Sequence, residues 1–327
     1  MQITHKNGLL FKAAQELYVD ASGLKNKNAL ITHAHSDHAK ATKSNTYYLT
    51  PETSSLIGAQ EKNLKVKEIN FGQKFDLNGF SCCMQPSGHI LGSAQLQIEN
   101  GSSVVLTSDF KLQDSILFSG AKILPCETLV IETTFGMPQY SFPKREDVYE
   151  DMIKWISKNL NEKNFIVLVG YSTGKAQELT KIVNEFLGEG VLVHPKIFKQ
   201  NKVYESKGVK LGSYYELNHN LREANILIYP PYLINEEMLS ALEHQLGKKV
   251  EVAIATGWNF PSKYKVFPLS DHADYDSLMR YVKESNPKLV LTTHGFEKEF
   301  ANSVRRKLGI NARPLSKPGQ SVLGEFS

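Results

Sequence analysis

The sequence predicts an α/β protein with a strand-rich first third and helices interleaved with strands after it. Short apolar runs ending in polar or charged residues recur along the chain: Ala29–Thr32, Ser103–Thr107, Leu129–Glu132, Asn164–Val169, Asn225–Tyr229, Val252–Ala255 and Lys288–Thr292. Helical periodicity lies between several of them. Turn signals at Lys6-Asn7-Gly8, Asn78-Gly79 and Asn100-Gly101 cut the first hundred residues into strand-sized pieces.

Each helix has its own signature. In KAQELTKIVNEFLGEG, Ala176, Leu179, Ile182, Val183 and Phe186 follow i, i+3, i+4 spacing, and Gly188 or Gly190 ends the helix. Similar patterns run through EDVYEDMIKWISKNL and DYDSLMRYVKES. The chain has 327 residues, which at about 150 residues per domain suggests two domains, or one core with a large insertion. Hydrophobic residues make up 41% and charged residues 22%, enough apolar material for a sizeable core. A net charge of +4 tolerates a polyanionic partner without demanding one. Runs such as Phe165-Ile166-Val167-Leu168-Val169 are far shorter than the roughly 18 residues a membrane span needs. The amino-terminal segment lacks the features of a secretion signal. Cys82, Cys83 and Cys126 make neither a disulfide framework nor a C-x-x-C metal knuckle, so a reduced, cytoplasmic setting is expected.

The decisive stretch is His33-Ala34-His35-Ser36-Asp37-His38. Three imidazoles and one carboxylate within six residues, just after the strand ALIT, form an unusual density of nitrogen and oxygen ligands. On a turn, positions 33 and 35 can point to one ion while 37 and 38 point to a neighbour. Four groups cannot complete two coordination shells, so further ligands must come from elsewhere. Three candidates stand at strand ends, where α/β proteins build their sites. They are His89 in the small-residue loop Pro86–Ser93, Asp109 after Val104–Ser108, and His294 after Val290–Thr293. His5, His194, His219 and His244 lack this setting and read as surface or structural.

The order Asp20, H-x-H-x-D-H, His89, Asp109 and His294 resembles the metallo-β-lactamase superfamily. The resemblance implies an αββα sandwich, two sheets packed face to face and flanked by helices, with two divalent metal ions at one edge. It implies that His33, His35 and His89 bind the first ion, that Asp37, His38 and His294 bind the second, and that Asp109 bridges them. Nitrogen and oxygen ligands without a thiolate suit Zn²⁺ or Mn²⁺. Asp20 is then expected to support the ligand loop from behind.

Three further pieces resemble the β-CASP nucleases, the branch with an inserted cap domain. Ile131–Gly136, which includes Glu132, looks like its motif A, and Ser270-Asp271-His272-Ala273-Asp274 looks like motif B. His294, 22 residues after His272, matches motif C in its histidine form. About 130 residues separate motifs A and B, the place and size expected for an α/β cap. The expected organisation is a first metallo-β-lactamase segment over 1–137, the cap over 138–256 and a second segment over 257–327, with Pro138–Pro143 as the first hinge. Within the cap, Ser172, Thr173, Gly174 and Lys175 join a strand to a helix and are expected to bind a substrate phosphate. By the same resemblance, two ions about 3.5–4 Å apart would hold a hydroxide for in-line attack on a phosphodiester. His272 would act as general acid oriented by Glu132, with Asp37 completing the catalytic set.

The segments TFGMPQYSFPKREDV, Thr256-Gly257-Trp258 and PLSDHADYDSL resemble the prokaryotic ligase-associated DNA exonucleases, also called mRNA 3′-end processing factor-like proteins. That resemblance implies a DNA exonuclease on single-stranded DNA, with a DNA ligase as partner. The alternative is an RNA-processing β-CASP ribonuclease. A small-molecule hydrolase has no need of so long an insertion, and a catalytically dead subunit would have lost ligands that are all present here.

Overall fold

A computed structural model describes residues 1–5, 7–217, 221 and 223–315. His219 lies outside the described residues. The chain first lays down β1 (Gln2–His5), β2 (Leu9–Lys12), β3 (Glu16–Val19), β4 (Asn28–Leu30), β5 (Thr46–Leu49) and β6 (Lys65–Glu68), with the short helix α1 (Pro51–Leu56) before β6. These six strands pair in sequence order as one sheet. Next come β7 (Lys74–Leu77), β8 (Phe80–Pro86), β9 (Ala94–Glu99), β10 (Ser103–Leu106) and β11 (Thr128–Thr133), which begin a second sheet.

The chain then leaves the second sheet. Helix α2 (Arg145–Asn161) leads into β12 (Phe165–Val169), α3 (Lys175–Leu187), β13 (Val191–Val193), α4 (Pro195–Ser206), β14 (Tyr214–Glu216), β15 (Ile226–Tyr229), α5 (Glu236–Leu246), β16 (Val250–Ala255) and β17 (Lys265–Phe267). These strands form a third sheet, all parallel, in the order β14-β13-β15-β12-β16-β17. Helix α6 (Tyr275–Ser285), β18 (Leu289–Gly295), α7 (Glu297–Leu308) and β19 (Asn311–Pro314) return to complete the second sheet, in the order β19-β18-β11-β10-β9-β8-β7.

Strand alternation explains the layering, because successive side chains point to opposite faces. Val104 and Leu106 of β10 and Val130 of β11 join Phe11, Leu17 and Leu30 of the first sheet in the core between the two sheets. Val105, Leu129 and Ile131 face the other way, onto Leu278, Tyr281, Phe300 and Val304 of α6 and α7. Ala29 and Tyr47 cover the outer face of the first sheet with Ile57, which follows α1. The result is the expected αββα sandwich. The third sheet is buried on both faces, which is why β12 reads as an unbroken apolar run. Its Ile166 and Leu168 pack under α2 and α3, and its Phe165 and Val167 pack under α5.

Two sequence expectations are refined here. Helix α3 ends at Gly188, whose φ of 65° closes it in the left-handed conformation that glycine adopts without strain. The third sheet also runs past residue 256: Lys265–Phe267 pairs with Ala253–Ala255, so the return to the second sheet follows Phe267. The three-residue strand was too short to register as one in the sequence.

Candidate metal centre

The H-x-H-x-D-H segment forms the loop after β4, and Asp20 fixes it from the neighbouring strand end. Asp20 takes a left-handed φ of 51°. Its Oδ1 accepts the Thr32 amide at 2.8 Å, and its Oδ2 accepts the Thr32 hydroxyl at 2.6 Å and His38 Nδ1 at 2.8 Å. A turn follows, with the amides of His38 and Ala39 both donating to the His35 carbonyl.

Four imidazoles have their tautomers set by what holds their far nitrogens. His89 Nδ1 meets the Asp271 carbonyl at 2.9 Å, and His35 Nε2 meets the Thr173 carbonyl at 3.2 Å. A carbonyl can only accept, so both of these nitrogens carry hydrogens. His35 Nδ1 and His89 Nε2 therefore carry lone pairs, and they face each other at 3.0 Å. The Thr32 hydroxyl gives its hydrogen to Asp20, so it accepts from His33 Nδ1 at 3.1 Å and leaves the lone pair on His33 Nε2. That nitrogen is buried without a hydrogen-bond partner among the described residues, 3.4 Å from Asp109 Oδ2. His38 Nε2 lies 3.6 Å from the carboxylates of both Asp37 and Asp109.

Lone pairs that converge on a buried carboxylate repel one another unless a cation stands among them, so this donor set fits a metal ion. One donor atom each from His33, His35, His89 and Asp109 falls within 4.8 Å of the others. Electrostatics agree. Burial, with His33 nearby, holds His35 down at about 4, and burial above all pushes His89 well below the ordinary histidine value. Both rings are thus neutral and able to ligate. Burial works against the charged form of His38, but Asp109 and Asp20 outweigh it and lift that ring to about 10.

His294 reaches this group through an irregularity in the sheet. Glu132 pairs with Thr293 and Thr133 pairs with Gly295, which leaves His294 as the unpaired residue of a bulge at a φ of 57°. Its ring stacks on His38 with centroids 5.5 Å apart, so it stands on the Asp37–His38 side of the cluster. Gly295 is obligatory, because a β-carbon there would sit 2.4 Å from the Thr133 carbonyl.

Beside the cluster, Glu132 is the penultimate residue of β11 and almost fully buried. It accepts the Phe110 amide at 2.9 Å and the Thr134 hydroxyl, and both its oxygens lie within 3.0 Å of His272 Nδ1. His272 is 4.7 Å from His89 between ring centroids, and its side chain keeps 24% of its surface exposed. Burial opposes its charged form, but the charge and hydrogen bond of Glu132 prevail and raise it to about 9.

The expected phosphate loop departs from its reading. Lys175 is buried, with Nζ 2.9 Å from Asp271 Oδ1 and 3.1 Å from Glu178 Oε2. Arg145 pairs with Glu178 through two nitrogens at 2.7 and 2.6 Å and donates to the Ser270 carbonyl at 2.7 Å. This network binds α2 and α3 to the loop carrying His272, and Lys175 has no free charge for a phosphate. The Gly174 amide is likewise taken, by Gln177 Oε1 at 2.7 Å. A β-carbon on Gly174, at a φ of +97°, would meet Ile90 at 2.5 Å, so the loop is packed against the His89 segment. Ser172, Thr173 and Lys175 all line the cleft, Lys175 with its charge already paired.

The cleft has a volume of about 560 Å³ and runs from His35, Asp37 and His272 to the ends of the third sheet's strands. His5, read from the sequence as surface or structural, lines an adjoining cavity of about 280 Å³ with Asp37 and His294, its ring 6.1 Å from that of His294. Its position in β1, away from any apolar strand end, gave no sequence signal. His194 caps α4, its Nδ1 accepting the Lys196 amide at 3.1 Å. Among the described residues the three cysteines are free and buried, and no helix is long and apolar enough to cross a membrane.

Sandwich and donor cluster together define a metallo-hydrolase of the metallo-β-lactamase fold. Residues 262–313 match the family model described as a Zn-dependent metallo-hydrolase RNA specificity domain. A probable DNA ligase from Opitutus terrae is 34% identical over 91% of this chain, which spans 30% of that relative's length. An RNase J-like protein from Methanocaldococcus jannaschii is 21% identical over 81% of this chain and 80% of its own. A crystal structure of a protein of unknown function from Enterococcus faecalis superposes with a TM-score of 0.67 at 12% identity, covering 96% of this chain and 97% of that one. These similarities support the β-CASP branch of the metallo-β-lactamase superfamily.

Proposed function

We propose that this chain is a dinuclear-metal phosphodiesterase that hydrolyses nucleic acid, acting on single-stranded DNA as an exonuclease. The observation that carries the reading is the Glu132–His272 pair standing beside a convergent donor cluster on an open cleft. His33, His35 and His89 would hold one ion, Asp37, His38 and His294 the other, with Asp109 shared between them, and Zn²⁺ or Mn²⁺ suits the donors. Bound ions supply Lewis acidity at water and neutralise charge on the phosphate.

The chain's own groups do the rest. Glu132 holds the hydrogen on His272 Nδ1 and favours the charged ring, so Nε2 carries a proton to donate to the leaving oxygen. Asp20 keeps His38 Nδ1 protonated and turns Nε2 toward the carboxylates. The Lys175–Asp271–Arg145 network positions the His272 loop.

DNA is favoured by the resemblance of the segments around Thr134–Val148 and Pro268–Leu278 to the ligase-associated exonucleases, and by the similarity to a DNA ligase polypeptide over most of this chain. On this reading a DNA ligase is its partner. RNA is the second reading, favoured by the RNA specificity model over residues 262–313. End-labelled single-stranded DNA and RNA of one sequence, incubated with the Zn²⁺- or Mn²⁺-loaded chain, separate the two. Stepwise shortening of DNA supports the first, preferential RNA cleavage moves the chain to the second, and cleavage of neither rejects both.

A further inference from the structure

We infer that Tyr171, Tyr232 and Trp258 are stacking subsites for the bases of an unpaired nucleic-acid strand, an assignment that rests on the nucleic-acid reading above. Large exposed hydrophobic side chains are few among the described residues, yet these three, at 59%, 59% and 40% exposure, line the one cleft that contains His35 and His272. Their placement follows from the third sheet. Strands β15, β12 and β16 are parallel neighbours, and Tyr232, Tyr171 and Trp258 follow their carboxyl ends by three, two and three residues. Neighbouring strands lie about 4.8 Å apart, so the fold sets three aromatic side chains in a row along one sheet edge, where α/β proteins bind ligands.

The row continues to the chemistry. Trp258 packs on Phe135 at 4.8 Å between centroids, and Phe135 lies 6.2 Å from the ring of His272. At the other end, Lys196 Nζ sits 3.2 Å from the Tyr232 hydroxyl and 5.1 Å from its ring centre, placing a cation where a phosphate chain would run past a stacked base. An aromatic row with a flanking cation recognises every base by its π-face and the backbone by its charge. Base pairs stacked in a duplex have those faces closed, so the row selects unpaired strands. It is indifferent to sugar, and leaves DNA or RNA to be decided elsewhere in the cleft.

The test is fluorescence anisotropy of end-labelled oligothymidylate, an abasic oligonucleotide of equal length and a blunt duplex. All arms use the full Zn²⁺-loaded chain carrying His272→Ala to suppress turnover. Oligothymidylate should bind more tightly than the other two. Trp258→Ala and Tyr171→Ala should each weaken it about fivefold to a hundredfold, leaving the abasic strand unchanged, and Trp258→Phe should stay within a few-fold of the parent. Tyr171→Ala guards against a folding artefact, because Trp258 packs on Phe135 whereas Tyr171 is more exposed. An abasic strand bound as tightly as oligothymidylate, or alanine variants that bind oligothymidylate like the parent, overturns the stacking assignment alone. Failure of the parent chain to bind any of the three overturns the nucleic-acid reading itself.

Discussion

Lys175 Nζ lies 2.9 Å from Asp271 Oδ1, across 96 residues of sequence, and this contact joins the third sheet's helix α3 to the residue before His272. The lysine expected to grip substrate instead helps neutralise two carboxylates, the buried Glu178 and the partly buried Asp271. Lys175→Ala should therefore destabilise the fold by about 3 kcal/mol, the scale of breaking a buried ion pair. Chemical denaturation measures that loss. The salt dependence of nucleic-acid affinity should keep its slope, since a lost phosphate contact would lower it by about one.

His272→Ala should lower kcat by about a hundredfold to ten-thousandfold, the usual contribution of a positioned general acid. Bound metal measured by atomic absorption should be unchanged, because Nδ1 of His272 is held by Glu132. Full turnover in this variant would remove the proton-donor role.

Glu132 raises the value at which His272 gives up its proton, so its removal must lower that value. An acid catalyst works below its pKa and fails above it. Rate against pH should thus fall on the alkaline side in the parent chain, and in Glu132→Gln the fall should begin at lower pH. An alkaline limb that stays in place would separate Glu132 from the proton on His272.

Chelation leaves the lone pairs of His35 and His89 facing at 3.0 Å with nothing between them. The metal-loaded chain should melt at a higher temperature than the chelated one, and an ion at a hundred times its Kd adds about 2.7 kcal/mol. Equal melting temperatures in calorimetry would mean that the cluster is not a metal centre.

Asp20→Asn should weaken metal affinity about tenfold to a hundredfold by loosening the His38 ring and the Thr32 backbone. Competition with a chromogenic chelator reads this directly, and unchanged affinity would reduce Asp20 to a turn residue.

Much of this was legible in the sequence, for physical reasons. The central strands of the second and third sheets betray themselves because burial on both faces demands unbroken apolar runs, and each expected span overlaps an observed strand with its ends agreeing to within three residues. The donor loop is legible because its ligands are local. The setting of Lys175 is not legible locally because one partner, Asp271, is remote in sequence, and a Gly-Lys helix start looks alike whether solvated or buried. His5 and the bulge at His294 were invisible because strand pairing, and no local pattern, brings them to the site.

The position of β18 between β11 and β19 bears on how the molecule comes into being. During synthesis, His33, His35, His89 and Asp109 emerge first, and their strands can pair without anything that follows residue 133. His272 and His294 emerge only after the whole third sheet, and β11 remains an open edge until β18 fills it. A chain still on the ribosome therefore has six of the seven expected donors, all but His294, before it has His272. On the proposed reading, a chain built in that order meets the nucleic acids of its own translation before it has the group expected to protonate a leaving oxygen.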